Sequence, residues 1–155
     1  MITEKLLTDK ENYRQSIKRA AELLKEGSIV AVPTETVYGL AASAYNDDAI
    51  KKVFSAKGRP QDNPLIVHIS EFSQIYSIAR EVPEKAKSLA DAFWPGPLTM
   101  ILPKRDCIPD SVTGGMDTVA VRLPADPIAN ALIRLSGVPI AAPSANLSGH
   151  PSPTT

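Results

Sequence analysis

With 155 residues, 43% of them hydrophobic, the chain has the size and apolar content of one globular domain with its own core. Its 17 basic residues balance 17 acidic ones, which removes the global basicity of a general nucleic-acid binder but leaves local clustering open. The single Cys107 excludes an intramolecular disulfide, no apolar run reaches membrane-spanning length, and Glu4 and Lys5 break any signal-peptide pattern, so a cytoplasmic protein with no membrane contact is expected.

In chain order, Tyr13, Ile17, Ala20, Ala21 and Leu24 recur at helical spacing and predict a helix over 9–26, stopped by Gly27. Ser28–Val32 reads as a short strand. Asn46 is placed to cap a second helix, with Asp47 and Asp48 in its first turn, Lys57 near its end and Gly58 as its stop. Pro64–Ile69 reads as a strand, followed by short helices near 71–79 and 83–93, the latter with Pro83 at its first position. Leu98–Leu102 and Thr118–Leu123 read as strands flanking a Gly114-Gly115 turn. Asp126-Pro127 opens a helix whose spacing puts Ile128, Ala131, Leu132 and Leu135 on the buried face, and Gly137 closes it. Val138–Pro143 returns as a strand. The pattern is a mixed α/β domain without repeats or low-complexity linkers. The segment His150–Thr155 looks like a turn about to start another helix, so the chain is expected to be one catalytic domain over 1–155, truncated at its C-terminal end. Fourteen prolines fall at element edges, which stiffens the strand exits.

Strand alternation groups the polar side chains. Thr118, Ala120 and Arg122 share one face of their strand, and His68 lies opposite Leu65, Val67 and Ile69. Ala142 and Ser144 share a face leading to Asn146. If Val32–Tyr38 stays extended, Thr34, Thr36 and Tyr38 align as well. Small alanines between hydroxyls, an imidazole and a guanidinium leave room for a ligand on a sheet. The run Lys57-Gly58-Arg59-Pro60-Gln61-Asp62-Asn63-Pro64 adds two cations leading into the His68 strand, as an anionic, phosphate-bearing substrate would need. Each residue also has a structural alternative. Lys57 and Arg59 could be solvated cations at a helix C-terminus, and His68 a satisfied core histidine. A guanidinium on an apolar strand needs an anionic partner: Glu35, Asp117 or a bound carboxylate.

No P-loop and no G-x-G-x-x-G occurs. Two histidines and one cysteine, widely spaced, argue against a protein-built zinc site, so no metal ligands are assigned; any metal would be Mg²⁺ carried on a nucleotide. Ser144 has no G-x-S-x-G around it.

Taken together, these motifs resemble the YrdC-like threonylcarbamoyl-adenylate synthase family. The matching segments are Pro33-Thr34-Glu35-Thr36-Val37-Tyr38-Gly39-Leu40, then Lys57-Gly58-Arg59-Pro60 into Asn63-Pro64-Leu65, then His68. They continue through Trp94-Pro95-Gly96-Pro97-Leu98-Thr99, Thr118-Val119-Ala120-Val121-Arg122 and Pro143-Ser144-Ala145-Asn146, in the family's order and over nearly the whole chain. The resemblance implies a twisted mixed α/β sheet flanked by helices, with a concave, positively lined site. It implies that L-threonine, bicarbonate and ATP, with Mg²⁺ carried on the ATP, give L-threonylcarbamoyladenylate and pyrophosphate. The product would pass to the machinery that makes threonylcarbamoyladenosine in tRNA. By the same resemblance, Thr36, Tyr38, His68, Arg122 and Ala142 would hold threonine, with Arg122 on its carboxylate. Lys57, Arg59, Asn63, Thr118, Ser144, Asn146 and Ser152 would surround ATP, with Lys57 and Arg59 as the catalytic cations on the phosphates. The family domain continues beyond Thr155, so the adenylate contacts it draws from that later region are absent from this sequence.

Two other readings compete. One is a non-catalytic module binding tRNA or double-stranded RNA through Lys51, Lys52, Lys57 and Arg59, against which stand the neutral total and 5% aromatic content. The other is a related carbamoyl-transfer domain of the hydrogenase-maturation kind, which would form carbamoyl-adenylate without threonine.

Overall fold

The structure is a computed structural model and describes residues 3–154. Its frame is a mixed six-stranded sheet in the order β1-β2-β6-β3-β5-β4. The strands are β1 (Val30–Val32), β2 (Gly39–Ser43), β3 (Ile66–His68), β4 (Thr99–Pro103), β5 (Thr118–Arg122) and β6 (Ile140–Ala141). Only β3 and β5 run parallel; every other neighbouring pair is antiparallel. This is the twisted mixed α/β architecture that the sequence predicts.

The helices form where local chemistry specifies them. In α1 (Tyr13–Lys25), Ile17, Ala20, Ala21 and Leu24 form one buried stripe. The Asn46 side chain accepts from the Ala49 N–H at the start of α2 (Asp47–Lys57), and Gly58 ends that helix in the left-handed region. After a 3₁₀ turn at Phe72–Gln74 come α3 (Ile75–Ile78) and α4 (Glu84–Phe93). Next are α5 (Asp110–Thr113) and α6 (Pro127–Ser136), the latter capped by the Asp126 carboxylate on the N–H groups of Ile128 and Ala129.

Several sequence expectations need correction. Val32–Tyr38 is not extended: the Thr34 hydroxyl donates to the Val37 carbonyl at 2.6 Å and accepts from the N–H groups of Thr36 and Val37, folding 33–38 into a turn between β1 and β2. The buried face of α6 is Ala129, Leu132, Ile133 and Ser136, while Leu135 is exposed, a rotation of about one residue from the expected stripe. The segment 71–79 holds only a 3₁₀ turn and a single turn of helix, and Pro83 is the N-cap of α4 rather than its first residue. The strand expected over 138–143 is two residues long. β2 and α5 carry no strong sequence signal and went unpredicted.

Two cores hold the layers. On one side Ile50, Val53, Phe54, Leu65, Val67, Ile75, Ile78, Ile108, Val119 and Val121 pack together beneath the sheet. On the other, α1 and α6 cover β1, β2 and β6 through Leu24, Val32, Ala41, Leu132, Ile133 and Ile140. That second cover stops at β6. Beyond it the same face of β3, β5 and β4 is open: Ile66 and Ala120 are half-buried and Ile101 is 70% exposed. This uncovered half of the sheet positions the site.

Candidate functional site

The site is built around a row that crosses the open face. Register places His68 of β3 beside Arg122 of β5, and Arg122 beside Thr99 of β4. Thr118 and Ala120 lie on that face of β5 too, at alternate positions below Arg122. Arg122 is only 8% exposed. Its Nη2 forms an ion pair with Glu35 Oε1 at 2.8 Å and donates to Thr36 Oγ1 at 3.3 Å, so the 33–38 turn closes over the guanidinium. Its Nε is buried and has no partner. An unsatisfied buried donor costs roughly 1–3 kcal/mol, a cost that an incoming acceptor would remove.

His68, 4% exposed, uses Nδ1 on the Ile66 carbonyl at 3.1 Å. Burial, with the Arg122 charge beside it, pushes its pKa down to about 4. The ring is therefore neutral near pH 7. With Nδ1 as the donor to that carbonyl, Nε2 is left as an acceptor. Burial raises the Glu35 carboxyl, but the Arg122 hydrogen bond, the backbone N–H groups of Glu35 and Ala125, and the Arg122 charge outweigh it, so Glu35 stays ionised.

A second cluster gathers around Lys57, at the end of α2 and 3% exposed. Its ammonium donates to the carbonyls of Ser144 and Asn146, and the Ser148 N–H donates back to the Lys57 carbonyl at 3.0 Å. Burial and the Arg59 charge both lower the Lys57 pKa. Asn146 Oδ1 accepts from the Ser144 hydroxyl and from Ser152 Oγ, the latter at 3.2 Å. Arg59 folds along the next turn, with Nε on the Asn63 carbonyl at 3.4 Å and Nη2 on the Pro64 carbonyl at 3.2 Å.

The two clusters are joined by backbone. The Leu40 N–H donates to Pro143 O and the Ala145 N–H to Tyr38 O, which tie the 33–38 turn to the 143–146 loop. The Ala142 N–H bonds the Ile66 carbonyl at 3.0 Å. A Cβ on Gly39 would lie 3.2 Å from the Ala142 methyl, a tight contact that a glycine relieves. The Tyr38 N–H reaches Pro153 O at 2.9 Å, which brings the 151–153 segment and Ser152 back to the site.

The structure thus brings Thr36, His68 and Arg122 into one cluster, and Lys57, Ser144, Asn146 and Ser152 into another. Arg59 and Asn63 lie on the turn entering β3, and Thr118 lies at the start of β5. Glu35 is the residue that sequence reasoning weighed only as a structural partner. Its signal was an acid set between two threonines in a proline-to-glycine turn. Asp117 is not the partner; its carbonyl accepts from the Lys104 N–H at the far end of β5. A groove of about 470 Å³ between residues 4–7 and α1 contains none of these site residues. Among the described residues no group of three or more His, Cys, Asp or Glu side chains could hold a metal ion, and no helix is long and apolar enough to cross a membrane.

Comparison with known proteins places the chain in a family. Residues 22–155 match the Sua5/YciO/YrdC family model, described as "telomere recombination". The chain is 60% identical over 139 residues to the threonylcarbamoyl-AMP synthase of Pyrococcus abyssi, covering 90% of this chain and 41% of that protein. It is 58% identical over 154 residues to that of Bacillus subtilis, covering 99% and 43%. The crystal structure of P. abyssi Sua5 complexed with L-threonine superposes with a TM-score of 0.90 at 59% identity, covering 91% of this chain and 42% of that one. The chain therefore spans about two fifths of the length of these relatives. The family model covers most of the chain, and the chain belongs to the Sua5/YciO/YrdC family.

Proposed function

We propose that this chain carries the site that converts L-threonine, bicarbonate and ATP into L-threonylcarbamoyladenylate and pyrophosphate. The observation that carries the reading is Arg122: a buried guanidinium with an unpartnered Nε, next to a neutral His68 and the Thr36 hydroxyl. That set can take a small carboxylate bearing further polar groups. The relatives' names, and the threonine in the P. abyssi structure, support threonine as that ligand.

Arg122 would hold the carboxylate, while Thr36, His68, Tyr38 and the backbone at Ala142 hold the remaining polar groups. Arg59, Asn63, Thr118, Ser144 and Ser152 would surround ATP, which arrives as its Mg²⁺ complex with the metal held by its own phosphates. Arg59 supplies charge where pyrophosphate leaves. Lys57 and Asn146 fix the 144–146 loop from beneath, and the Lys57 charge adds to the positive field. The threonine amine adds to CO₂ and gives a carbamate and a proton, or adds to bicarbonate and gives a carbamate and water. A carbamate oxygen then attacks the α-phosphorus and pyrophosphate departs. Positioning and charge neutralisation supply the rate, so no strong general base is needed. The product would be handed to cytoplasmic tRNA-modifying enzymes.

The test is pyrophosphate release from ATP, with threonine or bicarbonate omitted in turn. Release that needs both is expected. Release that persists without threonine refutes the reading, as does silence from both this chain and a version carried past Thr155.

A further inference from the structure

The ligand end of the site holds one fixed cation, Arg122, and one fixed anion, Glu35, 2.8 Å apart. The other polar groups there, Thr36 and the neutral His68, add no charge. Glu35 is not a loose side chain resting on a vacant receptor. The turn that carries it is folded by the Thr34 hydroxyl, which bonds the backbone on both sides of Thr36. Thr36 itself holds the same Nη2 of Arg122. The carboxylate is therefore anchored from its own turn, with its side chain 22% exposed, and it pairs with Nη2 while the neighbouring Nε is buried without a partner.

A ligand carboxylate that reaches this guanidinium lies beside a permanent negative charge, which repels a simple anion but attracts a ligand that carries a cation next to its carboxylate. We infer that Glu35 is a specificity-determining residue that pairs with Arg122 to make this end of the site neutral, so that it selects a zwitterionic amino acid over a plain carboxylate. The inference rests on the proposed threonine site and names what in that site reads the α-ammonium group.

The test is calorimetric binding of L-threonine and of 3-hydroxybutanoate, the same skeleton without the amine, to the full chain. The variants are Glu35→Gln, Glu35→Asp and Arg122→Ala. The unmodified chain should prefer threonine by at least tenfold. Glu35→Gln, with its shape retained and its charge removed, should weaken threonine about tenfold, leave 3-hydroxybutanoate unchanged or tighter, and so erase the preference. Glu35→Asp should keep the preference even where both affinities drop. Parallel losses for both ligands in Glu35→Gln would show that Glu35 merely orients Arg122, and would overturn the inference, as would an unchanged preference. No threonine binding to the unmodified chain, or binding that survives Arg122→Ala, would instead remove the threonine site itself.

Discussion

Replacing Lys57 by Met separates structure from catalysis at this position. Met keeps the length of the side chain and removes the ammonium that holds the carbonyls of Ser144 and Asn146. Each charge-assisted hydrogen bond is worth roughly 1.5–3 kcal/mol net, so two of them amount to about 3–6 kcal/mol. Against this, the variant no longer desolvates an ammonium, an expense visible in the lowered Lys57 pKa. The balance is a loss of about 2–4 kcal/mol, or roughly 4–16 °C in Tm for a domain of this size. The assay is urea unfolding followed by circular dichroism, with the midpoint shifted and the slope unchanged. Lys51→Met is the control, because among the described residues that exposed lysine pairs only with Asp47 and Asp48 on its own helix, and its midpoint should barely move. A Lys57→Met chain that unfolds at the unmodified midpoint would refute the view that Lys57 carries the 144–146 loop.

Three further outcomes follow from the same geometry. The unfolded chain protonates His68 near pH 6.5 and the folded chain only near 4, so between these values the unfolded state binds more protons. Stability should therefore fall by about 3 kcal/mol in all as pH drops through that window, and His68→Asn should flatten the slope; an identical pH profile in the variant would contradict the burial argument. A Cβ at Gly114 would sit 2.6 Å from the Asp62 carbonyl, at a φ of +62°, so Gly114→Ala should both destabilise the chain by at least ~1–2 kcal/mol and displace the Asn63 amide resonance. An unchanged Asn63 environment in that variant would show that Gly114 does not fix the turn. Arg59→Ala should abolish pyrophosphate release with threonine affinity nearly intact, whereas Arg122→Ala should lose threonine affinity first; the reverse pattern in calorimetric titrations would overturn the assignment.

How far the sequence determined these expectations varied with the range of the interactions. Asn46 and Gly58, or Asp126 and Gly137, bound their helices through contacts within a few residues, and these limits were legible. Alternation along Thr118–Arg122 was equally local, and it placed Arg122 on the open face correctly. β2 was not legible because Gly-Leu-Ala-Ala-Ser looks weak as a strand on its own; Gly39 packs closely against the Ala142 methyl, more than a hundred residues on in the chain. The 33–38 turn hid behind residues that alternate like a strand, and the Thr34 hydroxyl decides the matter. For α6, the periodic stripe was present but the packing against α1 chose the face one residue over. The partners of Lys57 lie 87 and 89 residues away, so no local pattern could distinguish a phosphate-facing cation from one tied to carbonyls.

The central claim is best tested by following carbon. With ¹⁴C-bicarbonate, ATP and L-threonine, the account predicts label in a product containing threonine and adenylate, formed in step with pyrophosphate and lost when Arg122 is replaced by Ala. ATP turnover that leaves the label in bicarbonate, or labelled adenylate formed without threonine, would contradict it.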